Sequence, residues 1–382
     1  MEFSCTQENL NVGLSVVSHI ANRSVNLPIL GNVLIKAEDQ VLKMMATNLE
    51  VAVTCTVRGK IESAGEFTVP SRLFSDYINL LPKERVDVTQ EGQGLTVKCG
   101  QYRTKLAGLP ASEFPLIPQL DASHRFRVKV ADFRRAVSQV AFAVAPNESR
   151  PEISGVLFRF AAGTDSATLT LVATDSYRLA ERIVPLAADS AVPGDTVTVI
   201  VPARTVSEVV RILGVFKDGI ASAAEMEIGV GDGQIQFTYD TVELVSRTIE
   251  GRYPDYRPLI ADHFATEVVM SKEDLTRAVK TSSLFSRSGL NDVHFRFAEN
   301  QPIALAAANT QTGEHAVEID GDVSGKPNSV TVNFKYFLDG VSNIESEQVL
   351  MQLNDGLSAC ILRPVTDDGR SDYLYIVMPI RQ

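Results

Sequence analysis

The hydrophobic positions of this chain recur three times as a short strand followed by an amphipathic helix. Residues 3–17, 126–140 and 268–279 each begin with a short β-like stretch and continue with apolar residues three and four positions apart. This spacing places the apolar side chains on one face of a helix. The pattern therefore predicts one helix with a buried face near the start of each third of the chain.

A second strand and helix follow later in each third, at residues 67–78, 199–213 and 330–344. Between the two units lie related β-rich stretches at residues 42–48, 169–175 and 303–309, each of which ends in a polar turn. The whole arrangement repeats with a period of roughly 130 residues, and such self-similarity indicates repeated structural domains.

Local signals support these placements. Thr205 with Glu208, and Ser271 with Asp274, have the spacing of a capping box at a helix start. Asp232-Gly233 predicts a hairpin turn between two alternating strands. We therefore expect two helices and about eight strands per repeat, in an α+β fold with the helices packed on antiparallel sheets.

The length favours several domains. A chain of 382 residues exceeds the size at which one hydrophobic core stops growing. Proline and polar residues interrupt the periodicity at 116–119 and 253–256. The predicted domains are residues 1–122, 123–257 and 258–382.

The composition is that of a globular protein, with 45% hydrophobic and 22% charged residues. No run approaches the roughly 18 apolar residues of a membrane helix, and the first residues lack the plan of a signal peptide, so we expect a cytoplasmic protein. The four cysteines lie far apart without a Cys-x-x-Cys pair. They predict small buried hydrophobic residues rather than a zinc site or disulfides.

The formal net charge of −11 argues against a uniformly basic surface that coats nucleic acid. The basic residues nevertheless concentrate on the predicted helices, at Arg72, Arg134, Arg135, Arg204, Arg211, Lys272, Arg277, Lys280 and Lys335. Ordinary solvated helix faces would show the same positions. A phosphate-facing surface on an otherwise acidic molecule would also require this segregation, so both interpretations stay open.

Signatures of catalysis are missing from the sequence. It contains no phosphate-binding Gly-x-x-x-x-Gly-Lys loop, no His-Glu-x-x-His and no Gly-x-Ser-x-Gly. The five histidines are scattered without the spacing of metal ligands. The sequence therefore predicts a protein that is not an enzyme and that needs no metal or cofactor.

Four motifs carry a resemblance to a known family. They are LPILGN at 27–32, ATDSYRL at 173–179, EGRYPDY at 250–256 and YIVMPIR at 375–381. In this order, within three repeats, they resemble the bacterial β sliding clamp over the whole chain. The resemblance implies a head-to-tail homodimeric ring around duplex DNA, with helices lining the hole. It further implies a non-enzymatic processivity factor that tethers replicative polymerase, clamp loader, repair polymerases, ligase and mismatch-repair proteins.

The resemblance also implies three sets of site residues. Partners of the family insert a short apolar peptide into a cleft, here formed by Ile153, Thr174, Ser176, Tyr177, Arg178, Leu179, Pro254, Leu259, Leu290, Asn333, Tyr336, Leu357, Val377, Met378, Pro379, Ile380 and Arg381. The implied DNA contacts are Arg23, Arg72, Arg150 and Arg204. The implied dimer interface sets Thr104 and Leu106 against Leu284 and Phe285.

Two departures from the family pattern accompany this resemblance. Pro151 and Glu152 stand where many members carry aromatic residues, which argues against a stacking contact with DNA at that point. Pro258 replaces a frequent basic residue at the cleft. An acidic multidomain scaffold or an undetected hydrolase is the rival interpretation, and it carries no requirement for a dimer.

Overall fold

The structure, a computed structural model, describes residues 1–21, 27–38, 40–118, 120–146, 149–163, 166–188, 190, 194, 196–216, 224–367 and 371–381. None of the helices in these ranges has the length and apolar character needed to cross a membrane. The α-helices of the described residues are α1 (Gln7–Val17), α2 (Ser71–Leu80), α3 (Val130–Val140), α4 (Ala203–Val215), α5 (Lys272–Ser283) and α6 (Phe334–Ser342).

The strands of the first repeat are β1 (Glu2–Thr6), β2 (Asn32–Glu38), β3 (Val41–Thr47), β4 (Val51–Val57), β5 (Lys60–Ser63), β6 (Gly65–Pro70), β7 (Arg85–Glu91), β8 (Gly94–Cys99) and β9 (Tyr102–Ala107). Those of the second are β10 (His124–Lys129), β11 (Gly155–Ala161), β12 (Thr168–Thr174), β13 (Arg178–Pro185), β14 (Val197–Pro202), β15 (Glu225–Gly231), β16 (Gln234–Tyr239) and β17 (Val242–Arg247). Those of the third are β18 (Thr266–Ser271), β19 (Asp292–Phe297), β20 (Ile303–Asn309), β21 (Gly313–Ile319), β22 (Gly321–Gly325), β23 (Asn328–Asn333), β24 (Gln348–Leu353), β25 (Cys360–Pro364) and β26 (Tyr373–Val377). The predicted α+β plan is confirmed.

The chain divides into two compact units, and strand pairing across the repeats determines what each contains. Unit 1 comprises Met1–Ala131, Leu186–Val192 and Arg204–Thr248. Its sheets have the orders β5-β1-β7-β8-β9 and β10-β15-β16-β17-β4-β3-β2-β6. The longer sheet is continuous because β17 of the second repeat pairs antiparallel with β4 of the first, with Val242 opposite Cys55.

Unit 2 comprises Asp132–Pro185, Pro193–Ala203 and Ile249–Gln382. Its sheets have the orders β14-β11-β12-β13-β26-β25-β24-β18-β22 and β21-β20-β19-β23. Here β13 of the second repeat pairs antiparallel with β26, the last strand of the third. Both units therefore join strands that are far apart in the sequence.

The helices bury the apolar faces that the sequence predicts. Phe133 of α3 packs against Phe158 of β11, with ring centroids 6.0 Å apart, and Phe337 of α6 packs against Phe295 at 5.1 Å. The four cysteines are free and buried. Burial raises the pKa of the Cys5 thiol, and that of Cys55, to about 12, so these thiols stay protonated at neutral pH. Their predicted role as buried hydrophobic residues is confirmed.

The two capping signals have different outcomes. Ser271 caps α5 as predicted, and its Oγ accepts the Asp274 N–H at 3.3 Å. The prediction for Thr205 is wrong, because α4 begins at Ala203 and Thr205 lies within the helix. Its Oγ1 shares a hydrogen bond of 2.8 Å with Ser246 Oγ in the interior of unit 1. A tertiary hydrogen bond therefore uses the hydroxyl that the sequence pattern assigned to the helix end.

Candidate functional site

The predicted cleft residues meet where β13 pairs with β26 in unit 2. Arg178 lies opposite Val377 and Leu179 opposite Ile376. Beyond Val377 the chain leaves the sheet, yet it stays hydrogen-bonded on two sides. The Met378 N–H donates to Tyr177 O at 2.9 Å, and the Ile380 N–H donates to Thr331 O at 2.8 Å. The C-terminal segment 378–380 thus lies between the β12–β13 turn and β23.

The β12–β13 turn is held by its own side chains. Thr174 Oγ1 donates to Arg178 O at 2.6 Å and accepts the Ser176 N–H at 3.1 Å. Asp175 Oδ1 accepts the N–H groups of Tyr177 and Arg178 at 2.9 and 3.0 Å. Ser176 has a positive φ of 77°, a conformation that this closed network stabilises. The turn presents the exposed Tyr177 ring at the edge of the cleft.

Arg178 connects the turn to two other elements. Its side chain is only 12% exposed. Nε donates to Asp175 Oδ2 at 2.9 Å, Nη1 to Asp339 Oδ2 at 2.5 Å and Nη2 to Phe142 O at 2.9 Å. The guanidinium also lies 4.6 Å from the ring centroid of Tyr336, within the range of a cation–π contact. Arg178 therefore stabilises the cleft through hydrogen bonds within the chain.

Tyr336 contacts several parts of this arrangement. Its ring stacks on that of Tyr177, with centroids 6.3 Å apart and planes at 20°. Tyr375 Oη donates to Tyr336 O at 2.6 Å. Asn333 caps α6, and its Oδ1 accepts the Tyr336 N–H at 3.4 Å. Desolvation raises the pKa of the Tyr336 phenol, so the ring stays neutral and presents an aromatic surface.

An apolar cluster forms another part of the cleft. It contains Leu179, Ile376 and Tyr256, and the partly buried Met378 packs against it. Tyr256 also hydrogen-bonds through Oη to Glu181, and burial followed by the nearby carboxylate raises its pKa. This bond fixes the connector between the second and third repeats, which carries two further predicted cleft residues, Pro254 and Leu259.

The remaining cleft residues differ in exposure and position. Leu259, Leu290 and Leu357 are exposed leucines, as expected for side chains that a peptide would cover. Ile153, in contrast, is buried in the short 3-10 helix Pro151–Ile153. Pro379 lies past the end of β26, where its missing N–H costs no ladder hydrogen bond.

The predicted DNA contacts lie on different elements. Arg72 lies in the first turn of α2 with its side chain 94% exposed, and Arg204 is exposed near the start of α4. Arg150 instead lies beside the cleft turn, where it donates to Ser176 Oγ and to Glu152 Oε1, each at 3.0 Å. Arg23 falls outside the described residues.

The predicted interface residues also differ in exposure. Leu284 caps α5 with 72% of its surface exposed. Phe285 stacks on His315 of β21, with centroids 5.4 Å apart and planes at 13°. Thr104 is half-buried, and Leu106 is buried within unit 1. Because β9 is an end strand of its sheet, its free edge offers backbone groups for pairing.

Comparison with known proteins identifies the family. Models of the N-terminal, central and C-terminal domains of the DNA polymerase III beta subunit match residues 1–118, 127–255 and 257–381. The beta sliding clamp of Vibrio cholerae is 30% identical over 384 residues and that of Pseudomonas aeruginosa 30% over 386, with 100% of each chain covered. The chain belongs to the bacterial β sliding clamp family.

Solved clamp structures agree with this assignment. A Pseudomonas aeruginosa clamp bound to griselimycin superposes with a TM-score of 0.89 at 29% identity, covering 100% of both chains. The Thermotoga maritima beta subunit gives a TM-score of 0.88 at 26% identity, covering 100% of this chain and 99% of that one. This clamp is accordingly a processivity factor for DNA synthesis and not an enzyme.

Sequence reasoning missed the residues that support the clamp's cleft. Asp175 lies inside the motif at 173–179, and its Asx-turn position ahead of Tyr177 and Arg178 was a usable signal. Phe142 and Asp339 carried no such signal, because they lie 36 and 161 residues from Arg178 along the chain.

Proposed function

We propose that two copies of this clamp close head to tail into a ring that encircles duplex DNA and tethers replication and repair proteins through the cleft of unit 2. The observation that carries the proposal is the match of all three beta-subunit domains, in order, over nearly the whole chain. The proposed domains are residues 1–122, 123–257 and 258–382. The proposed location is the cytoplasm.

Complementary sheet edges support the head-to-tail joint. The end strand β9 of unit 1 carries exposed Arg103 and Lys105, and the end strand β21 of unit 2 carries exposed Glu314 and Glu318. Opposite charges on two free strand edges favour pairing between copies and disfavour pairing of like edges. Joining different edges in this way gives a heterologous contact, which closes into a ring when the rotation allows.

The proposed ligand of the cleft is a short peptide with an aliphatic or aromatic pair. Its apolar residues would pack on the partly buried Pro254 and Met378, beside the buried Leu179 and Val377, and Arg381 would offer a charged donor to its acidic groups. A small shared site suits partners that bind in turn, among them replicative polymerase, clamp loader, repair polymerases, ligase and mismatch-repair proteins. No cofactor or metal enters this function.

Retention on DNA tests the ring directly. After loading by a clamp loader, the protein should stay on closed circular DNA at high salt and leave once the DNA is linearised, because topological linkage does not depend on ionic contacts. Equal loss from circular and linear DNA would contradict the proposal. A scaffold or hydrolase would show no dependence on DNA ends.

The proposed phosphate contacts lead to a second expectation. A ring that slides should contact phosphates rather than base edges, so its intrinsic DNA affinity should be weak, salt-dependent and insensitive to sequence. Replacing Arg72 and Arg204 with alanine should lower the slope of log K against log salt by up to about 1.8, at about 0.9 per lost contact. Fluorescence anisotropy with short duplexes measures this slope. An unchanged slope, or a sequence-specific footprint, would refute the assignment.

A further inference from the structure

A cavity of about 910 Å³ in unit 1 combines basic and polar side chains from three helices. Ser18 and His19 follow α1, Arg72 and Asp76 belong to α2, and Arg211 belongs to α4. Arg72 is one of the proposed DNA contacts, whereas the sequence assigned no function to His19. One cavity is therefore lined by both a histidine of unassigned role and a proposed phosphate contact.

A buried carboxylate fixes the His19 ring. Glu208 of α4 is only 5% exposed, and its Oε2 lies 2.7 Å from His19 Nδ1. Arg211 donates to Glu208 Oε1 from Nε at 3.0 Å and from Nη2 at 2.6 Å. A buried carboxylate without partners would be strongly destabilising. Arg211 supplies that compensation through these two hydrogen bonds.

Arg211 is in turn fixed by the end of α1. Its Nη1 donates to Ser15 O at 2.9 Å and its Nη2 to Val16 O at 2.8 Å. These carbonyls belong to the last turn of the helix, where a cation is favoured. The Glu208–Arg211 pair is therefore held by the backbone of α1. The His19 ring that it orients remains 65% exposed and open to a ligand.

The chemistry of the ring determines which ligand suits it. With Nδ1 donating to Glu208, a neutral imidazole presents Nε2 as an acceptor, whereas an imidazolium presents a second N–H donor. Among the residues that the structure describes, the charged groups at this cavity are Glu208 and Arg211 of α4 and Arg72 and Asp76 of α2. Arg72 and Asp76 form only a loose pair at 3.9 Å between exposed side chains. Such a pair contributes little stability, so Arg72 is available to an anion.

We propose that His19 is a further DNA contact of this clamp, which takes up one proton from solvent as a backbone phosphodiester binds between it and Arg72. The inference rests on the proposed function, because it requires duplex DNA beside α2. No covalent bond changes: the proton goes to Nε2, and the resulting N–H donates to a phosphate oxygen. Glu208 and Arg211 are positioning residues in this scheme.

Proton uptake determines the direction in which DNA affinity changes with pH. The DNA-bound state holds more protons than the free state, so affinity is highest at low pH and falls as pH rises. For one proton, affinity should fall by up to about tenfold per pH unit where the free ring is neutral. Contacts made only by arginines would give no such dependence between about pH 6 and 8.

The test uses the full-length protein and a short duplex at fixed ionic strength, with affinity measured by fluorescence anisotropy from pH 6 to 8. Wild type should lose affinity as pH rises, and His19→Ala should bind with the same weak affinity across the range. His263→Ala, which removes an exposed histidine of unit 2, should behave like wild type. A flat wild-type profile, or an unchanged dependence in His19→Ala, would overturn the proposal.

Two further experiments identify the ligand and test the role of His19 separately from the proposed ring. If inorganic phosphate shifts the His19 ring resonances but duplex binding shows no pH dependence, the site binds free anion and the DNA assignment is overturned. His19→Ala should still be retained on circular DNA and lost from linear DNA. Failure of retention in wild type would refute the proposed function, whereas a flat pH profile with normal retention would refute only the role of His19.

Discussion

A clamp that lacks residues 378–382 is expected to lose binding of partner peptides altogether while it stays a dimer. The deleted segment supplies the Met378 N–H that bonds to Tyr177 O and the Ile380 N–H that bonds to Thr331 O. The deletion also removes the Met378 side chain, which packs against the apolar cluster of the cleft. Isothermal titration calorimetry with a peptide containing an aliphatic and aromatic pair measures the loss.

A milder variant separates the cleft from the stability of the last strand. Met378→Ala keeps the backbone hydrogen bonds and should weaken peptide binding by about 1–2 kcal/mol, as for a central anchor residue. Leu80→Ala, which truncates an exposed leucine of α2, is the matched control and should leave the affinity unchanged. Wild-type affinity in both Met378→Ala and the truncated protein would disprove the cleft assignment.

The repeated helices and strands were predictable because each is specified by its own local pattern. The apolar spacing of α1, α3 and α5 gives their buried faces directly, and Ser271 reveals the start of α5. Thr205 shows the limit of prediction from local patterns. Its hydroxyl matches a capping signal, but the tertiary partner Ser246 is distant in sequence and no periodicity predicts it.

The sequence predicted which residues form the cleft, but not which contacts hold them in place. Family resemblance named Arg178 as a residue of the peptide cleft and gave no partners for its guanidinium. The structure directs Nε, Nη1 and Nη2 to Asp175, Asp339 and Phe142. Two of these acceptors come from other elements, so only the folded chain reveals that Arg178 holds the cleft together.

Arg150 illustrates a further limit. The resemblance gave it as a DNA contact, and the structure pairs it with Glu152 and with Ser176 of the cleft turn. A carboxylate next to the guanidinium reduces its attraction for phosphate. The resemblance names the residue, whereas only the structure shows its two hydrogen-bond partners.

Replacing Leu284 and Phe285 together with aspartate is expected to convert the dimer into folded monomer and to abolish retention on circular DNA. Leu284 is 72% exposed within one chain, so its side chain is accessible to a partner copy at the proposed joint. Two buried carboxylates at the centre of a joint would each cost several kcal/mol. Sedimentation should then report the 41.6 kDa chain instead of twice that mass.

The effect of each variant on folding must be measured separately from its effect on dimer assembly. Phe285 stacks on His315, so its loss also weakens packing within the chain. Leu284→Asp alone changes a side chain that is mostly in solvent and should weaken the dimer without lowering the melting temperature of the monomer. Leu116→Asp, at another highly exposed leucine, controls for added charge and should sediment as a dimer.

If the double variant sediments as a wild-type dimer, the ring joint lies elsewhere on the molecule. If Leu284→Asp and Leu116→Asp weaken the dimer equally, added charge rather than position is responsible.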